Sequence, residues 1–273
     1  MRSRIQAVPL FSFLSTSLAA CCGVFFTVFF AVFSASGQSS RISAGILTDN
    51  QIITSTVLGY DLQYRVYLPG GHDSLKNIPV IYVTDGQWYI DSGEMPALLD
   101  RLIEADEIRP VIAVFIDNRD PHRLSTNRRN SQFMCNTDYV RFFSDELIPH
   151  IDGAYNTQAN RTDRVILGLS FGGLNSVCFG IHGHDSFEGI AIQSPAMRPV
   201  PSVYSSYEDS TKFPIKVFLS SGTYSDNEES TRRLKRILEA KGYEMKYLEV
   251  PFEHNWENWK PLLDDVLLYY FSR

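Results

Sequence analysis

The chain has 273 residues, of which 44% are apolar and 21% charged, and a formal net charge of −6. These shares are ordinary for a globular protein, so disordered, collagenous and low-complexity chains are excluded. The acidic balance, without a basic stripe along the chain, argues against nucleic acid as a partner.

Residues 1–37 have the pattern of an export signal. Arg2 and Arg4 form a short positive region, an apolar run spans 18–33, and small residues fill 34–37. Secretory signals show the same order of positive region, apolar core and cleavage site. We therefore predict a protein exported to the periplasm or secreted.

Two other interpretations of this segment stay open. The uncharged run is nearly long enough to span a bilayer, so it could remain as a membrane anchor. Cys21 follows Leu18-Ala19-Ala20 in a pattern that resembles a lipoprotein attachment site. The rest of the chain, residues 38–273, is predicted to form a single α/β domain because no linker or repeat divides it.

Export would leave Cys135 and Cys178 in an oxidising compartment, where two cysteines can form a disulfide. Two buried thiols are the alternative. The sequence contains no Cys/His spacing typical of a metal site, so we predict neither a metal nor a cofactor.

Strands and helices alternate after the first fifty residues. Apolar β-rich runs predict strands at 52–58, 62–68, 80–83, 111–116, 165–167, 189–192, 215–219 and 247–250. Periodic apolar residues predict helices at 95–103, 137–151, from 172 onward, 230–241 and 256–270. Continuous apolar strands between helices indicate a mostly parallel sheet covered on both faces, and the first two strands indicate a hairpin at one edge. The irregular stretch 195–213 is too short for a large lid domain.

A G-x-S-x-G sequence lies between a predicted strand and a predicted helix, at Gly168-Leu169-Ser170-Phe171-Gly172. This context is typical of a nucleophile elbow, a sharp turn that exposes the serine at the carboxyl edge of the sheet. Ser170 is therefore the candidate nucleophile. A structural glycine-rich turn with an idle serine is the alternative.

A serine hydroxyl needs a base, and on this kind of fold the chain order is serine, acid, histidine. His254 follows the last predicted strand and is the candidate base. Asp226 is the first carboxylate after the preceding strand, so it is the candidate acid. Asp226 also begins a sequence typical of a helix cap, which leaves Glu228 and Glu229 as alternative acids.

An oxyanion hole needs two backbone donors. The N–H of Phe171, directly after the nucleophile, is one candidate, and the N–H of Gln87 is the other, because the loop Asp85-Gly86-Gln87-Trp88 follows a strand end. Trp88 would form a wall of the acyl pocket, or belong to the core.

The segment 117–129 also follows a strand end, and it carries four arginines on an otherwise acidic protein. Such a cluster suggests recognition of an anion, so Arg123, Arg128 and Arg129 are candidate substrate-binding residues. The alternative is a surface loop whose arginines pair with local carboxylates.

In their order, these motifs resemble the family named Putative esterase, which includes enterochelin esterases, esterase D, feruloyl esterases and mycolyltransferases. The segments that carry the resemblance are 82–87, Ile116-Asp117 with His122-Arg123, 146–149, 168–173 and His254-Asn255-Trp256 with Trp259. The resemblance implies an α/β-hydrolase fold, a serine ester hydrolase that acts through an acyl-enzyme, and Ser170, Asp226 and His254 in the catalytic positions. Glu253 and Asn130 depart from the family pattern, and one extra residue precedes Asp226.

The implied partner is a small-molecule ester. In the enterochelin-esterase-like branch it would be a catecholate siderophore, an anionic ester. A feruloyl or acetyl ester of a carbohydrate is the main alternative substrate. Acyl transfer and a non-catalytic binding role are alternative functions, and the sequence does not indicate an oligomeric state.

Overall fold

The computed structural model describes residues 44–273. The signal or anchor predicted for residues 1–37 lies outside this described part. Within it, no helix combines the length and the apolar character that a membrane crossing requires.

Eleven strands occur in the described part of the chain. They are β1 (Ile46–Leu47), β2 (Gln51–Ser55), β3 (Tyr60–Leu68), β4 (Val80–Thr84), β5 (Ile112–Asp117), β6 (Arg119–Asp120), β7 (Arg123–Asn127), β8 (Arg164–Leu169), β9 (Gly189–Gln193), β10 (Lys216–Gly222) and β11 (Glu244–Val250). The main sheet has the order β1-β3-β5-β4-β8-β9-β10-β11, with β2 also paired to β3, and β6 pairs with β7 in a separate hairpin. The six strands from β5 to β11 in this order are parallel. β2 and β3 form the antiparallel hairpin that the sequence predicts at one edge, and the two-residue strand β1, which was not predicted, also pairs with β3.

Ten α-helices connect these strands within residues 44–273. They are α1 (Gly86–Asp91), α2 (Met95–Glu104), α3 (Arg129–Phe133), α4 (Thr137–Phe142), α5 (Ile148–Ala154), α6 (Phe171–His182), α7 (Ser202–Asp209), α8 (Glu228–Ala240), α9 (Trp256–Trp259) and α10 (Leu262–Phe271). A π-helical turn, Phe143–Leu147, joins α4 to α5. The helix predicted at 256–270 is divided in two near Pro261, which lacks the N–H that a continuous helix would use.

Two apolar layers cover the sheet, one on each face. Along β4, Tyr82 packs into the layer formed with α4 to α8, while Ile81 and Val83 pack into the layer formed with α1, α2, α9 and α10. Successive strand residues point to opposite faces, so a strand between two layers has to be apolar throughout. This confirms the predicted layers of helices on both faces.

A disulfide between Cys135 and Cys178 links the segment between α3 and α4 to helix α6, with the two Cα atoms 5.1 Å apart. Of the two interpretations that the sequence left open, the structure shows the disulfide. The stretch 195–213 contains the short helix α7 and forms no large lid domain.

The loops that carry the predicted site follow the carboxyl ends of the parallel strands. Ser170 comes directly after β8, Asp226 comes four residues after β10, and His254 comes four residues after β11. Because parallel strands end at the same edge of a sheet, these loops come together there.

Candidate active site

Ser170 lies in a strained turn between β8 and α6. Its backbone has φ 57° and ψ −116°, which is unusual for a residue with a side chain. A Cβ built at Gly168 would overlap the carbonyl oxygen of Gly172, so the tight turn needs glycine there. The Ser170 N–H donates to the Gln193 carbonyl oxygen at 2.9 Å, which anchors the turn to the end of β9.

The three residues proposed for catalysis form one hydrogen-bonded chain. The Oγ atom of Ser170 lies 2.9 Å from Nε2 of His254, and Nδ1 of His254 lies 2.5 Å from Oδ1 of Asp226. The Asp226 side chain is fully buried, whereas the His254 side chain is one-third exposed. Chemically, this order allows the imidazole to take the serine proton while the carboxylate fixes the ring and stabilises its cation.

The second carboxylate oxygen of Asp226 is surrounded by donors. Oδ2 accepts hydrogen bonds from Ser194 Oγ at 2.6 Å, Asn258 Nδ2 at 2.9 Å and the Gly222 N–H at 2.5 Å. Burial alone would raise the pKa of Asp226, but its hydrogen bonds, from His254 first, outweigh burial and lower the pKa to about 2. The carboxylate therefore stays ionised near neutral pH.

The alternative acids are placed differently. Glu228 and Glu229 lie in the first turn of α8, and neither is within hydrogen-bonding distance of His254 in the described part of the chain. The cap position of α8 is occupied by Asn227, whose side chain makes no cap hydrogen bond. The helix-cap interpretation of the sequence around Asp226 is therefore wrong, because the Asp226 carboxylate faces His254 and the end of β9.

Sequence reasoning missed Ser194 and Asn258, two residues that hold the acid. Ser194 follows β9 with φ 45°, and its Oγ accepts a hydrogen bond from Trp259 Nε1 at 2.9 Å. Asn258 is fully buried within α9. The sequence signal for these contacts was weak: Trp259 belongs to the closing motif, but nothing in the sequence connects a serine after β9 with Asp226.

The two backbone donors proposed for the oxyanion hole lie at the starts of helices. Gln87 is the second residue of α1 and Phe171 is the first residue of α6. Neither N–H has a backbone acceptor among residues 44–273. A Cβ at Gly86 would lie 2.5 Å from the backbone of Phe115, so glycine is required for this close approach.

An open cleft of about 380 Å³ borders Ser170 and His254. Its lining consists of Trp88, Ser92, Arg129, Leu169, Ser170, His254, Trp256 and Trp259. Trp88 and Arg129, two of the four predicted substrate-binding residues, therefore line this cleft. The structure does not bring Arg123 or Arg128 to this lining.

Ion pairs explain where the other arginines are held. Arg128 pairs with Asp120 at 2.6 Å and stacks on the ring of Tyr60 at 4.2 Å, while Arg119 pairs with Asp117 at 2.6 Å. This matches the alternative interpretation, in which local carboxylates neutralise the loop. Arg123 is exposed on β7 and donates to the Thr126 hydroxyl.

The described residues contain no group of three or more His, Cys, Asp or Glu side chains arranged to hold a metal ion.

Comparisons with known proteins identify the family of the chain. The family model described as "Putative esterase" matches residues 55–270. The chain is 26% identical over 225 residues to the uncharacterised protein YjcH of Bacillus subtilis, covering 78% of this chain and 92% of that protein. It is 28% identical over 126 residues to the iron(III) enterobactin esterase of Escherichia coli, covering 45% of this chain but 30% of the esterase.

Similarity to a solved structure identifies the fold. A ferulic acid esterase superposes with a TM-score of 0.72 at 19% identity, over 84% of this chain and 98% of that chain. This similarity, together with the sheet and its flanking helices, confirms the predicted α/β-hydrolase fold.

Proposed function

The chain belongs to the Putative esterase family, and from that membership we propose that it is a serine esterase that cleaves a carboxylic ester through an acyl-enzyme on Ser170. One observation carries the proposal: the continuous chain of hydrogen-bonding distances from Ser170 Oγ through His254 to the buried Asp226. A binding protein without catalysis would have no need of a strained serine aligned with a base.

The proposed reaction has two halves. Ser170 Oγ attacks the ester carbonyl carbon as His254 Nε2 takes its proton, and the oxygen that becomes negative accepts hydrogen bonds from the Gln87 and Phe171 N–H groups. When the tetrahedral intermediate collapses, His254 returns the proton to the leaving alcohol. A water molecule then attacks the acyl-Ser170 ester by the same route and releases the acid.

We propose an ester with an aromatic acyl group as the substrate. Trp88, Trp256 and Trp259 supply flat apolar surface beside Ser170, and aromatic groups pack well against such surfaces. The similarity to an enterobactin esterase and a ferulic acid esterase is consistent with this class. A requirement for an anionic group has less support, because the arginine at the cleft, Arg129, is already paired with Asp85 at 2.8 Å.

The test of the nucleophile is covalent labelling. A fluorophosphonate probe should label the purified chain, and Ser170→Ala should abolish both labelling and hydrolysis of 4-nitrophenyl esters. Ser205→Ala, at an exposed serine of α7, is the control and should label like the wild type. Equal labelling of Ser170→Ala and the wild type would refute the proposal.

We also propose that the protein is exported, with residues 1–37 as a cleaved signal. The Cys135–Cys178 disulfide supports this, because structural disulfides persist mainly in oxidising compartments. Fractionation of cells that produce the full chain, with N-terminal sequencing of the product, tests it. A processed chain outside the cytoplasm supports the signal, whereas an intact chain in the membrane fraction supports the anchor.

A further inference from the structure

Arg129 contacts both of the loops that carry the proposed oxyanion donors. Its Nε atom lies 2.9 Å from each carboxylate oxygen of Asp85, and its Nη2 atom donates to the Leu169 carbonyl oxygen at 3.2 Å. Asp85 stands two residues before Gln87, and Leu169 stands two residues before Phe171. The Arg129 guanidinium group thus binds each segment two residues before its proposed oxyanion donor.

Aromatic rings enclose the Arg129 guanidinium group. The ring centroids of Trp88 and Phe171 lie 5.2 and 5.3 Å from it, and that of Phe133 lies at 5.7 Å. Only 15% of the Arg129 side chain is exposed. Trp88 directly follows Gln87, so Arg129 contacts residues on both sides of the Gln87 N–H, namely Asp85 and Trp88. It also contacts the ring of Phe171, the residue that carries the other proposed donor.

Asp85 is the buried carboxylate that neutralises the positive charge of Arg129. Its side chain is 1% exposed, its backbone is left-handed with φ 57°, and a Cβ built at Gly172 would lie 3.1 Å from its Oδ2 atom. Burial raises the pKa of Asp85 to about 6, although Arg129 opposes this shift. A buried carboxylate in this position needs a permanent partner, so the charge of Arg129 is committed to Asp85 rather than offered to a substrate.

We propose that Arg129 and Asp85 are positioning residues that fix the Gln87 and Phe171 N–H groups relative to each other, so that both point at the same developing oxyanion. This inference rests on the proposed serine-esterase function. It assigns Arg129 a role different from the anion binding that the sequence suggested. The pair should therefore affect the stability of the transition state and leave binding of the ground-state substrate nearly unchanged.

The test separates kcat from KM with a neutral 4-nitrophenyl ester. Arg129→Met and Asp85→Asn should each lower kcat by roughly 100-fold, with KM within about threefold of wild type, because misplacing oxyanion donors removes stabilisation made only in the transition state. Inhibition by an arylboronic acid, which forms a tetrahedral adduct with the serine, should weaken by a similar factor.

Arg129→Lys keeps the charge next to Asp85 and is the variant to use if Arg129→Met does not fold. Lysine lacks the planar fork that reaches Asp85 and Leu169 together, so kcat should still fall by about tenfold or more. An arginine that merely attracted an anion would be replaced by lysine with little loss of kcat.

Arg164→Met is the matched control. Arg164 pairs with Asp152 at 2.5 Å, and its side chain is 10% exposed. It is the first residue of β8, so it lies at the opposite end of that strand from Ser170. Its loss should lower the melting temperature while kcat of the folded protein stays at the wild-type value.

Two results would overturn the inference: unchanged kcat in folded Arg129→Lys and Asp85→Asn, or a rise in KM confined to anionic esters. Failure of the proposed function looks different. In that case the wild type itself reacts with neither the fluorophosphonate probe nor any ester, and no Arg129 variant is needed to show it.

Discussion

Asn258 Nδ2 donates a 2.9 Å hydrogen bond to Oδ2 of Asp226, the carboxylate oxygen that faces away from His254. Ser194 Oγ donates to the same oxygen at 2.6 Å. Ser221 Oγ donates to it as well, at 3.3 Å, so three side chains hold the carboxylate on the side away from His254. The contacts of Asn258 and Ser194 are the two shorter ones. Such contacts fix the direction in which the carboxylate holds the imidazole ring.

The first prediction concerns these two contacts. Asn258→Ala and Ser194→Ala should each lower kcat/KM about tenfold, because the carboxylate loses one of its fixed donors. Steady-state kinetics on a neutral 4-nitrophenyl ester measure this. The control is Ser220→Ala, whose buried hydroxyl has no hydrogen-bond partner in the described part of the chain and should be dispensable. Unchanged kinetics in both test variants would contradict the prediction and show that neither side chain is needed on its own to hold Asp226.

The second prediction identifies the acid. Asp226→Asn should lower kcat by at least about 100-fold, because an amide no longer holds His254 in the reactive tautomer or stabilises its cation. His254→Ala should cost about as much as Ser170→Ala, since the three residues act as a unit. Glu229→Gln should leave kcat near the wild-type value. A greater loss in Glu228→Gln or Glu229→Gln than in Asp226→Asn would transfer the role to α8.

Much of this architecture follows from the sequence because its signals are local. The G-x-S-x-G turn between strand and helix predicts the position of Ser170, and the continuous apolar run at 80–83 predicts a strand buried on both faces. Family resemblance then predicts the chain order of serine, acid and histidine.

The partners of charged residues could not be predicted in the same way. Arg129 pairs with Asp85, 44 residues earlier in the chain, and Ser194 reaches Asp226 across 32 residues. Such pairs depend on how loops from different strands meet at the sheet edge, which no local pattern records. The arginine segment therefore looked like an anion site, although its charges are mostly neutralised by neighbours.

The third prediction concerns acid stability. The pKa of Asp226 is lowered to about 2 in the folded protein, below the ordinary aspartate value of 3.8. A depressed pKa means that the ionised group stabilises the fold above pH of about 4, and that this contribution is lost as the pH falls toward 2. The melting temperature of the wild type should therefore fall more than that of Asp226→Asn when the pH is lowered from 5 to 2.5, as measured by thermal denaturation. A difference that does not vary with pH would contradict the prediction.

The fourth prediction concerns the disulfide. The Cys135–Cys178 bridge spans a sequence separation of 43 residues. A loop of this size predicts that Cys135→Ser/Cys178→Ser lowers the free energy of unfolding by about 4 kcal/mol, through greater freedom of the unfolded chain. Urea denaturation measures the loss, and wild type unfolded in the presence of a reductant should match the double variant. Stability equal to that of the oxidised wild type would show that the bridge does not contribute.

The fifth prediction concerns the charge of the substrate. Arg129, the arginine that lines the cleft, is paired with Asp85, and Arg128, outside the lining, is paired with Asp120. These two arginines therefore offer little free positive charge to attract an anion. A 4-nitrophenyl ester with a carboxylate on its acyl chain and a neutral ester of similar length should therefore respond alike when the salt concentration rises. Exposed charge attraction is screened over about 8–10 Å at moderate ionic strength, so an anion-binding surface would instead slow the charged ester selectively. Measurement of kcat/KM for both esters between low and high salt distinguishes these two outcomes.

If only the charged ester slows, Arg123→Gln is the informative variant, because among residues 44–273 no carboxylate pairs with Arg123. Loss of the salt effect in that variant would restore the anion-binding role to the β6–β7 hairpin.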